Sequence, residues 1–88
     1  MRLKDKVAII TGGVQGIGKA TVEKFLAEGA QIAIWDINAE KGETYATELK
    51  EQGHQVKFYA VNTTDQEQVQ AQAQAVYNDF GKIDILVN

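Results

Sequence analysis

The chain has 88 residues, no cysteine, no proline, 44% hydrophobic residues and a formal net charge of −3. That length allows one domain, and the absence of cysteine excludes a disulfide framework and a thiolate metal site. The mild acidity argues against a nucleic-acid or anionic-membrane surface, because both attract basic patches. No apolar run approaches the ~20 residues that span a bilayer, and the basic start lacks the features of a signal peptide. We therefore expect a cytoplasmic protein with neither nucleic acid nor membrane as a partner.

Seven elements are predicted in chain order, with glycine as the main punctuation between them. The first is a buried β-branched strand that ends before Gly12-Gly13, and a helix follows that Gly29 terminates. The predicted strands cover residues 6–11, 31–36, 55–61 and 83–87. The predicted helices cover residues 16–28, 38–52 and about 65–80, with Asn38 capping the second and a Thr64–Glu67 capping box opening the third.

Each predicted helix has one apolar face that we expect to lie against the sheet. On the first helix that face is Ile17, Thr21 and Phe25, with Val22 and Leu26 on the adjoining strip. On the second it is Gly42, Tyr45, Ala46 and Leu49, and on the third Val69, Ala73, Val76, Tyr77 and Phe80. Residues 68–75 also alternate with the period of a strand, but glutamine and alanine are helix formers, so the sequence favours a helix there.

The alternation of strands and helices predicts a parallel sheet with helices on both faces. We expect a Rossmann-like, doubly wound α/β fold with four strands in the order 3-2-1-4 and three helices. The first two helices should cover one face of the sheet, and only the third should cover the other face. The fourth strand is apolar on both faces, as suits a central strand, yet this order leaves it at an edge. We therefore expect residues 1–88 to be an incomplete domain that dimerises, aggregates or belongs to a larger ordered protein.

The first strand leads into a glycine-rich turn that fits a phosphate-binding loop. Gly12 permits a tight turn, Gly16 lets backbone approach a pyrophosphate, and Gly18 allows the helix to pack closely against the sheet. The segment Gln15-Gly16-Ile17-Gly18 places free N–H groups at the positive end of the helix dipole. Because the loop lacks the Lys-Ser/Thr pair of a Walker sequence, hydrolysis of a nucleoside triphosphate is disfavoured.

Two motifs together resemble the short-chain dehydrogenase/reductase family. The Thr11-Gly12-x-x-x-Gly16-Ile17-Gly18 run is similar to the family's Thr-Gly-x-x-x-Gly-x-Gly element. The tail from Phe80 is similar to the segment leading into Asn-Asn-Ala-Gly, of which only the first asparagine, Asn88, is present. The resemblance extends over the whole chain and implies a dinucleotide-dependent oxidoreductase.

The identity of the dinucleotide is expected to depend on Asp36, which ends the second strand. A carboxylate there accepts hydrogen bonds from both ribose hydroxyls and repels a 2′-phosphate. Gln15 in the loop is not basic, and Ile37 stands where an NADP-binding chain would carry arginine. The sequence therefore predicts NAD over NADP, with the alternative that Asp36 only begins a turn.

The resemblance assigns the base of the cofactor to the end of the third strand. By that resemblance the Asn62 side chain accepts from the adenine amino group, the Thr63 backbone meets the ring edge, and Asn88 lies near the adenosine ribose. The family usually has an aspartate at the first of these positions, so Asn62 offers an uncharged acceptor whose amide can be flipped.

The family reaction is hydride transfer between the nicotinamide and a carbonyl or alcohol carbon, aided by a Tyr-x-x-x-Lys pair and a serine. None of the three tyrosines has lysine four residues on. We therefore assign no catalytic residue and expect an inactive front portion of an enzyme that forms a homo-oligomer. The resemblance implies reduction of a 3-oxoacyl thioester. The alternatives are acetoin, diol or other alcohol oxidation, or a dinucleotide-binding module without catalysis.

Overall fold

The computed structural model describes residues 2–88, in which strands and helices alternate. The strands are β1 (Val7–Thr11), β2 (Gln31–Asp36), β3 (Val56–Ala60) and β4 (Ile85–Val87). The helices are α1 (Gly16–Ala27), α2 (Ala39–Glu51) and α3 (Gln66–Phe80). All seven predicted elements are present, although β1, β3 and β4 are each shorter than predicted. Before β4, Asp84 contacts β1 through its side chain as well as its backbone: its carboxylate accepts a hydrogen bond from the Val7 N–H at 2.9 Å, and its N–H donates to the Val7 carbonyl at 2.9 Å.

The four strands form one parallel sheet in the order β3-β2-β1-β4, which confirms the predicted topology. The central strands β1 and β2 are buried on both faces, so their residues are apolar in succession and do not alternate. Since parallel strands all end at the same edge, the turns after β1, β2 and β3 lie side by side.

Helices α1 and α2 cover one face of the sheet, and α3 covers the other. The first core layer joins Ile10 and Ile34 of the sheet to Val22 and Leu26 of α1 and to the predicted inner face of α2. The second joins the opposite strand face, including Trp35, to Val76 of α3. Each layer buries the apolar face that its helix brings to the sheet.

Two predicted inner-face residues are exposed. Ile17 is 88% exposed and Tyr77 is 54% exposed. The first turn of α1 holds Ile17 outside the buried layer, so the strip of Val22 and Leu26 is the true inner face of that helix. On α3 the buried residue is Val76, and its neighbour Tyr77 is rotated by about 100° around the helix axis toward solvent.

Helix α3 begins at Gln66, one residue later than the start that the predicted Thr64 cap implied. Asp65 is the capping residue, and its Oδ1 accepts from the N–H groups of Glu67 at 3.0 Å and Gln68 at 3.3 Å. The Gln68 side chain reaches back to the Asp65 carboxylate at 3.3 Å. Asp65 thus replaces Thr64 as the capping residue, and Gln68 donates to its carboxylate from both backbone and side chain, whereas the Asp65 N–H donates to the Asn62 carbonyl at 3.0 Å.

The outer side of β4 is the least covered part of the sheet. Leu86 is 58% exposed and Ile83 is 38% exposed. Among the described residues only β1 pairs with β4. Association through this edge stays a prediction.

A polar cluster connects β3 to the last turn of α3. The Asp79 Oδ2 accepts hydrogen bonds from the Lys57 ammonium at 2.8 Å and from the Tyr59 hydroxyl at 2.6 Å. The bonds from Lys57 and then Tyr59 hold the pKa of Asp79 below its ordinary value. Burial raises the pKa of Tyr59, and the bond to Asp79 raises it further, so this tyrosine stays neutral at physiological pH.

This cluster predicts a specific acid sensitivity. Because the pKa of Asp79 is lower in the folded state, its stabilising effect is present above the pKa of the unfolded chain and is lost as the pH falls through the folded-state pKa. We expect urea unfolding to show a steeper loss of stability below about pH 4 in the wild type than in Asp79→Asn. The exposed Glu43→Gln is the matched control, since it also removes one carboxylate. Identical pH profiles for the wild type and Asp79→Asn would contradict the prediction.

Candidate dinucleotide site

The carboxyl ends of β1, β2 and β3 border a cavity of about 380 Å³. It is lined by Thr11, Gly12, Trp35, Asp36, Ile37, Val61, Asn62 and Thr63. The cavity thus brings together five of the predicted site residues, which come from three separate turns: Gly12, Asp36, Ile37, Asn62 and Thr63. The crevice outside the carboxyl ends of the strands is where ligands bind in open α/β sheets.

The remaining predicted residues lie outside this cavity. Gln15, Gly16, Ile17 and Gly18 form the start of α1, in the segment that follows Gly12. Asn88 is exposed and follows β4, on the side of β1 away from the cavity. The structure therefore places the candidate groups in two neighbouring regions, a cavity and a helix start, with Asn88 apart from the cavity.

The turn between β1 and α1 requires glycine for two different reasons. Gly12 has φ +67° and Gly16 has φ +51°, a backbone region that L side chains rarely adopt. Gly18 has no such φ, but a Cβ on it would overlap the carbonyl group of Gly12. Gly18 therefore packs against the backbone of the loop, and not against the sheet as expected from the sequence. The glycine that lies against the sheet is Gly13, where a Cβ would lie 2.8 Å from the Ile34 side chain.

The N-terminus of α1 differs from those of the other two helices. Gln15 makes no side-chain capping bond, and the first turn of α1 contains no acidic residue. By contrast, Asn38 caps α2 and Asp65 caps α3, and each of those helices has a glutamate in its first turn. The first N–H groups of α1 therefore keep their donors and the positive end of the dipole, which together suit an anion such as a diphosphate.

Asp36 uses one carboxylate oxygen to stabilise the turn after β2 and leaves the other oxygen without a bond to the described residues. Its Oδ1 accepts from the Asn38 N–H at 3.0 Å, and Asn38 in turn caps α2 through Lys41. The second carboxylate oxygen of Asp36 has no hydrogen-bond partner within residues 2–88. Because the turn fixes the carboxylate at the cavity wall, that oxygen is oriented before any ligand arrives.

Asn62 and Thr63 close the opposite side of the cavity. The Asn62 Oδ1 accepts from both the N–H of Thr64 at 3.0 Å and its hydroxyl at 2.7 Å. The Thr63 N–H makes no hydrogen bond to another described residue, so it is a backbone donor at the cavity. The predicted role of Asn62 as an acceptor for adenine therefore competes with two existing bonds.

Three lining residues were not predicted as site residues, namely Thr11, Trp35 and Val61. Thr11 is the last residue of β1, Trp35 is the next-to-last residue of β2, and Val61 directly follows β3. The Thr11 hydroxyl donates to the Val87 carbonyl at 3.2 Å and so joins β1 to β4 beside the glycine turn. The predicted strand order alone would have identified them, because adjacent parallel strands present their final residues to one crevice.

Residues 2–88 contain neither a metal-binding cluster nor a membrane-spanning helix. No group of three or more histidine, cysteine, aspartate or glutamate side chains is arranged to hold a metal ion. In the same residues, none of the helices has the length and apolar character needed to cross a membrane.

The fold and the crevice define a doubly wound α/β domain of the Rossmann type. A sequence profile described as short chain dehydrogenase matches residues 6–88. The chain belongs to the short-chain dehydrogenase family, as its two motifs predicted.

Individual relatives agree over nearly all of the chain. The 3-oxoacyl-(acyl-carrier-protein) reductase FabG of Chlamydia trachomatis is 41% identical over 98% of this chain and 35% of its own length. The D-threitol dehydrogenase of Mycolicibacterium smegmatis is 44% identical over 99% of this chain and 34% of its own length. This chain therefore spans about one third of the length of these relatives.

A solved structure gives the same picture in three dimensions. A short-chain dehydrogenase/reductase from Burkholderia phymatum, determined in complex with NAD, superposes with a TM-score of 0.92 and 30% identity. The match covers 98% of this chain and 31% of that protein.

Proposed function

We propose that residues 1–88 are the dinucleotide-binding front portion of an NAD(H)-dependent oxidoreductase. The observation that carries the proposal is the joining of two features by one glycine turn. One is the crevice at the carboxyl ends of β1, β2 and β3, and the other is the start of α1, which has no side-chain cap. A diphosphate and an adenosine need these two environments next to each other.

The proposed roles follow from the chemistry of each region. The backbone of Gln15, Gly16, Ile17 and Gly18 would bind the diphosphate, with Gly12 leaving space for it. Asp36 would accept from the adenosine ribose, and Ile37, Asn62 and Thr63 would surround the base. Asn88 would lie beside the same ribose, by the family resemblance alone.

NAD is favoured over NADP by the charge at the cavity. Asp36 is the only charged residue in the lining, and no lysine or arginine is among those residues. A 2′-phosphate next to the Asp36 carboxylate would meet a repulsion of about 4 kcal/mol for unit charges 4 Å apart at an effective dielectric constant of about 20. Without a basic partner nothing offsets that cost.

The reaction proposed for the whole protein is hydride transfer between the nicotinamide and a carbonyl or alcohol carbon. When bound, the cofactor would donate the hydride in carbonyl reduction and accept it in alcohol oxidation, and these residues would bind and orient the cofactor. We place the proton-transferring groups in other parts of the protein, since no tyrosine here has lysine four residues on. By itself this chain is therefore proposed to be inactive.

Two substrate classes are supported by the names of relatives. One relative is named for reducing a 3-oxoacyl group on a carrier protein, and another for oxidising D-threitol, a polyol. We propose 3-oxoacyl-thioester reduction first and diol or polyol oxidation second. Steady-state rates of the full-length protein with a 3-oxoacyl thioester and with a vicinal diol distinguish the two.

Asp36→Ala is expected to weaken NADH binding by about ten- to a hundredfold, because it removes charge-assisted hydrogen bonds to the ribose. It is also expected to narrow the preference for NADH over NADPH, because the repulsion of the 2′-phosphate is lost. The fluorescence of the reduced nicotinamide measures both affinities.

The control for this variant is Asn38→Ala, which disturbs the same turn without removing the carboxylate. It should lower stability by about 1 kcal/mol through loss of the α2 cap and leave the NADH/NADPH preference unchanged. Tighter binding of NADPH than of NADH by the wild type would refute the NAD assignment.

A further inference from the structure

Every polar group of Asn62 except one is already engaged. Its N–H donates to the Gln68 Oε1 at 2.9 Å, and its backbone carbonyl accepts from the Asp65 N–H at 3.0 Å. Its Oδ1 accepts from the N–H and the hydroxyl of Thr64. A carbonyl oxygen has two lone pairs, so this side-chain oxygen is saturated. The side-chain nitrogen, Nδ2, has no partner within residues 2–88.

The orientation of the Asn62 amide is settled by its neighbour. A backbone N–H can only donate, so the atom that faces the Thr64 N–H at 3.0 Å must be the oxygen. A flipped amide would place two donors against each other there. Because Asn62 lines the cavity, the group it offers to a ligand is an NH₂ donor and not an acceptor.

The consequence concerns the base of the dinucleotide and rests on the proposed function. Adenine presents an amino donor at C6 and an acceptor at N1, whereas hypoxanthine presents an oxygen acceptor at C6 and a donor at N1. The cavity offers two donors in succession, the Asn62 Nδ2 and the Thr63 N–H. If the C6 group faces Asn62 and N1 faces Thr63, the pairing that the family resemblance implies, each base has one matched and one mismatched contact with these two donors.

A carboxylate at residue 62 would change this balance. It would accept from the adenine amino group and repel the hypoxanthine oxygen, while the Thr63 N–H would still favour adenine N1. Adenine would then match at both positions and hypoxanthine at neither. Asparagine at this position removes that discrimination.

We infer that Asn62 is a specificity-determining residue that makes the base subsite tolerant of a 6-oxopurine dinucleotide. The full-length protein should bind NADH and reduced nicotinamide hypoxanthine dinucleotide with dissociation constants within about tenfold of each other. Asn62→Asp should tighten the binding of NADH, because the carboxylate gains a bond from the adenine amino group. It should weaken the binding of the hypoxanthine dinucleotide, because an unpaired or repulsive contact is created at the hypoxanthine oxygen. The preference for NADH should therefore rise by at least about tenfold.

The test is a titration of both reduced dinucleotides, monitored by the fluorescence of the reduced nicotinamide. Asn78→Asp is the matched control, because it adds the same charge on the exposed face of α3 and should leave the ratio of affinities unchanged. An aspartate at residue 62 still accepts both bonds from Thr64, so the turn before α3 is retained. The wild-type ratio is a second measurement that needs no variant.

The outcomes separate this inference from the proposed function. If both dinucleotides bind and Asn62→Asp leaves their ratio unaltered, or if the wild type rejects the hypoxanthine form by more than about a hundredfold, the role of Asn62 is overturned and the NAD site stands. If neither dinucleotide binds at millimolar concentration, the proposed function fails and this inference fails with it.

Discussion

Gly18→Ala is expected to reduce dinucleotide affinity by more than about a hundredfold. The added Cβ would overlap the carbonyl group of Gly12, and both partners belong to the backbone, so no side chain can rotate to relieve the contact. The first turn of α1 must then move away from the glycine turn, and its N–H groups lose their alignment with a diphosphate. Losing two hydrogen bonds to a charged diphosphate, each worth about 1.5–3 kcal/mol, has an effect of about this size.

The measurement is NADH titration of the full-length protein, combined with urea unfolding to separate binding from stability. Gly53→Ala serves as the control, because Gly53 has φ +94° with open space around its Cβ position and lies after α2. That variant should be destabilised by about 1 kcal/mol and bind NADH normally. Normal affinity in Gly18→Ala would show that the loop does not bind the diphosphate.

Gly42→Ala is expected to destabilise the fold by about 2 kcal/mol. A Cβ on Gly42 would occupy the position of the Phe58 ring, which is 6% exposed in the core between α2 and β3. The better helix propensity of alanine returns about 1 kcal/mol, but forcing the ring out of a packed core costs about 3 kcal/mol. Unfolding in urea measures the difference.

A double-mutant cycle tests the stated cause. Phe58→Leu removes part of the ring that the new methyl group would contact, so Gly42→Ala should cost clearly less in a Phe58→Leu background than in the wild type. Additive effects of the two substitutions would place the cost elsewhere.

Much of the fold follows from local patterns that need no knowledge of distant residues. The apolar runs of β1 and β2 predict buried parallel strands, and the glycines after β1, α1 and α2 mark where elements end. Asn38 caps α2 as predicted, because a cap is an interaction within one turn. The strand order then follows from the handedness of the crossovers.

The boundaries and faces that were wrong share a different cause. Ile17 and Tyr77 are apolar at helical spacing, yet only contact with the sheet decides which residues of a stripe are buried. Thr64 and Asp65 are both suitable caps, and the choice of Asp65 depends on the placement of the whole turn after β3. Periodicity reports composition around a helix axis, but not the angle at which the helix meets its partner.

The candidate site divides in the same way. The glycine spacing and the terminal carboxylate of β2 predict a dinucleotide loop and a ribose-binding role for Asp36 from residue type and position along the strand, and both roles stay predictions. The saturation of the Asn62 oxygen, the contact of Gly18 with the Gly12 carbonyl and the fit of Gly42 over Phe58 were decided only in three dimensions. Hydrogen-bond partners and steric contacts depend on distances between atoms, which residue order constrains but does not specify.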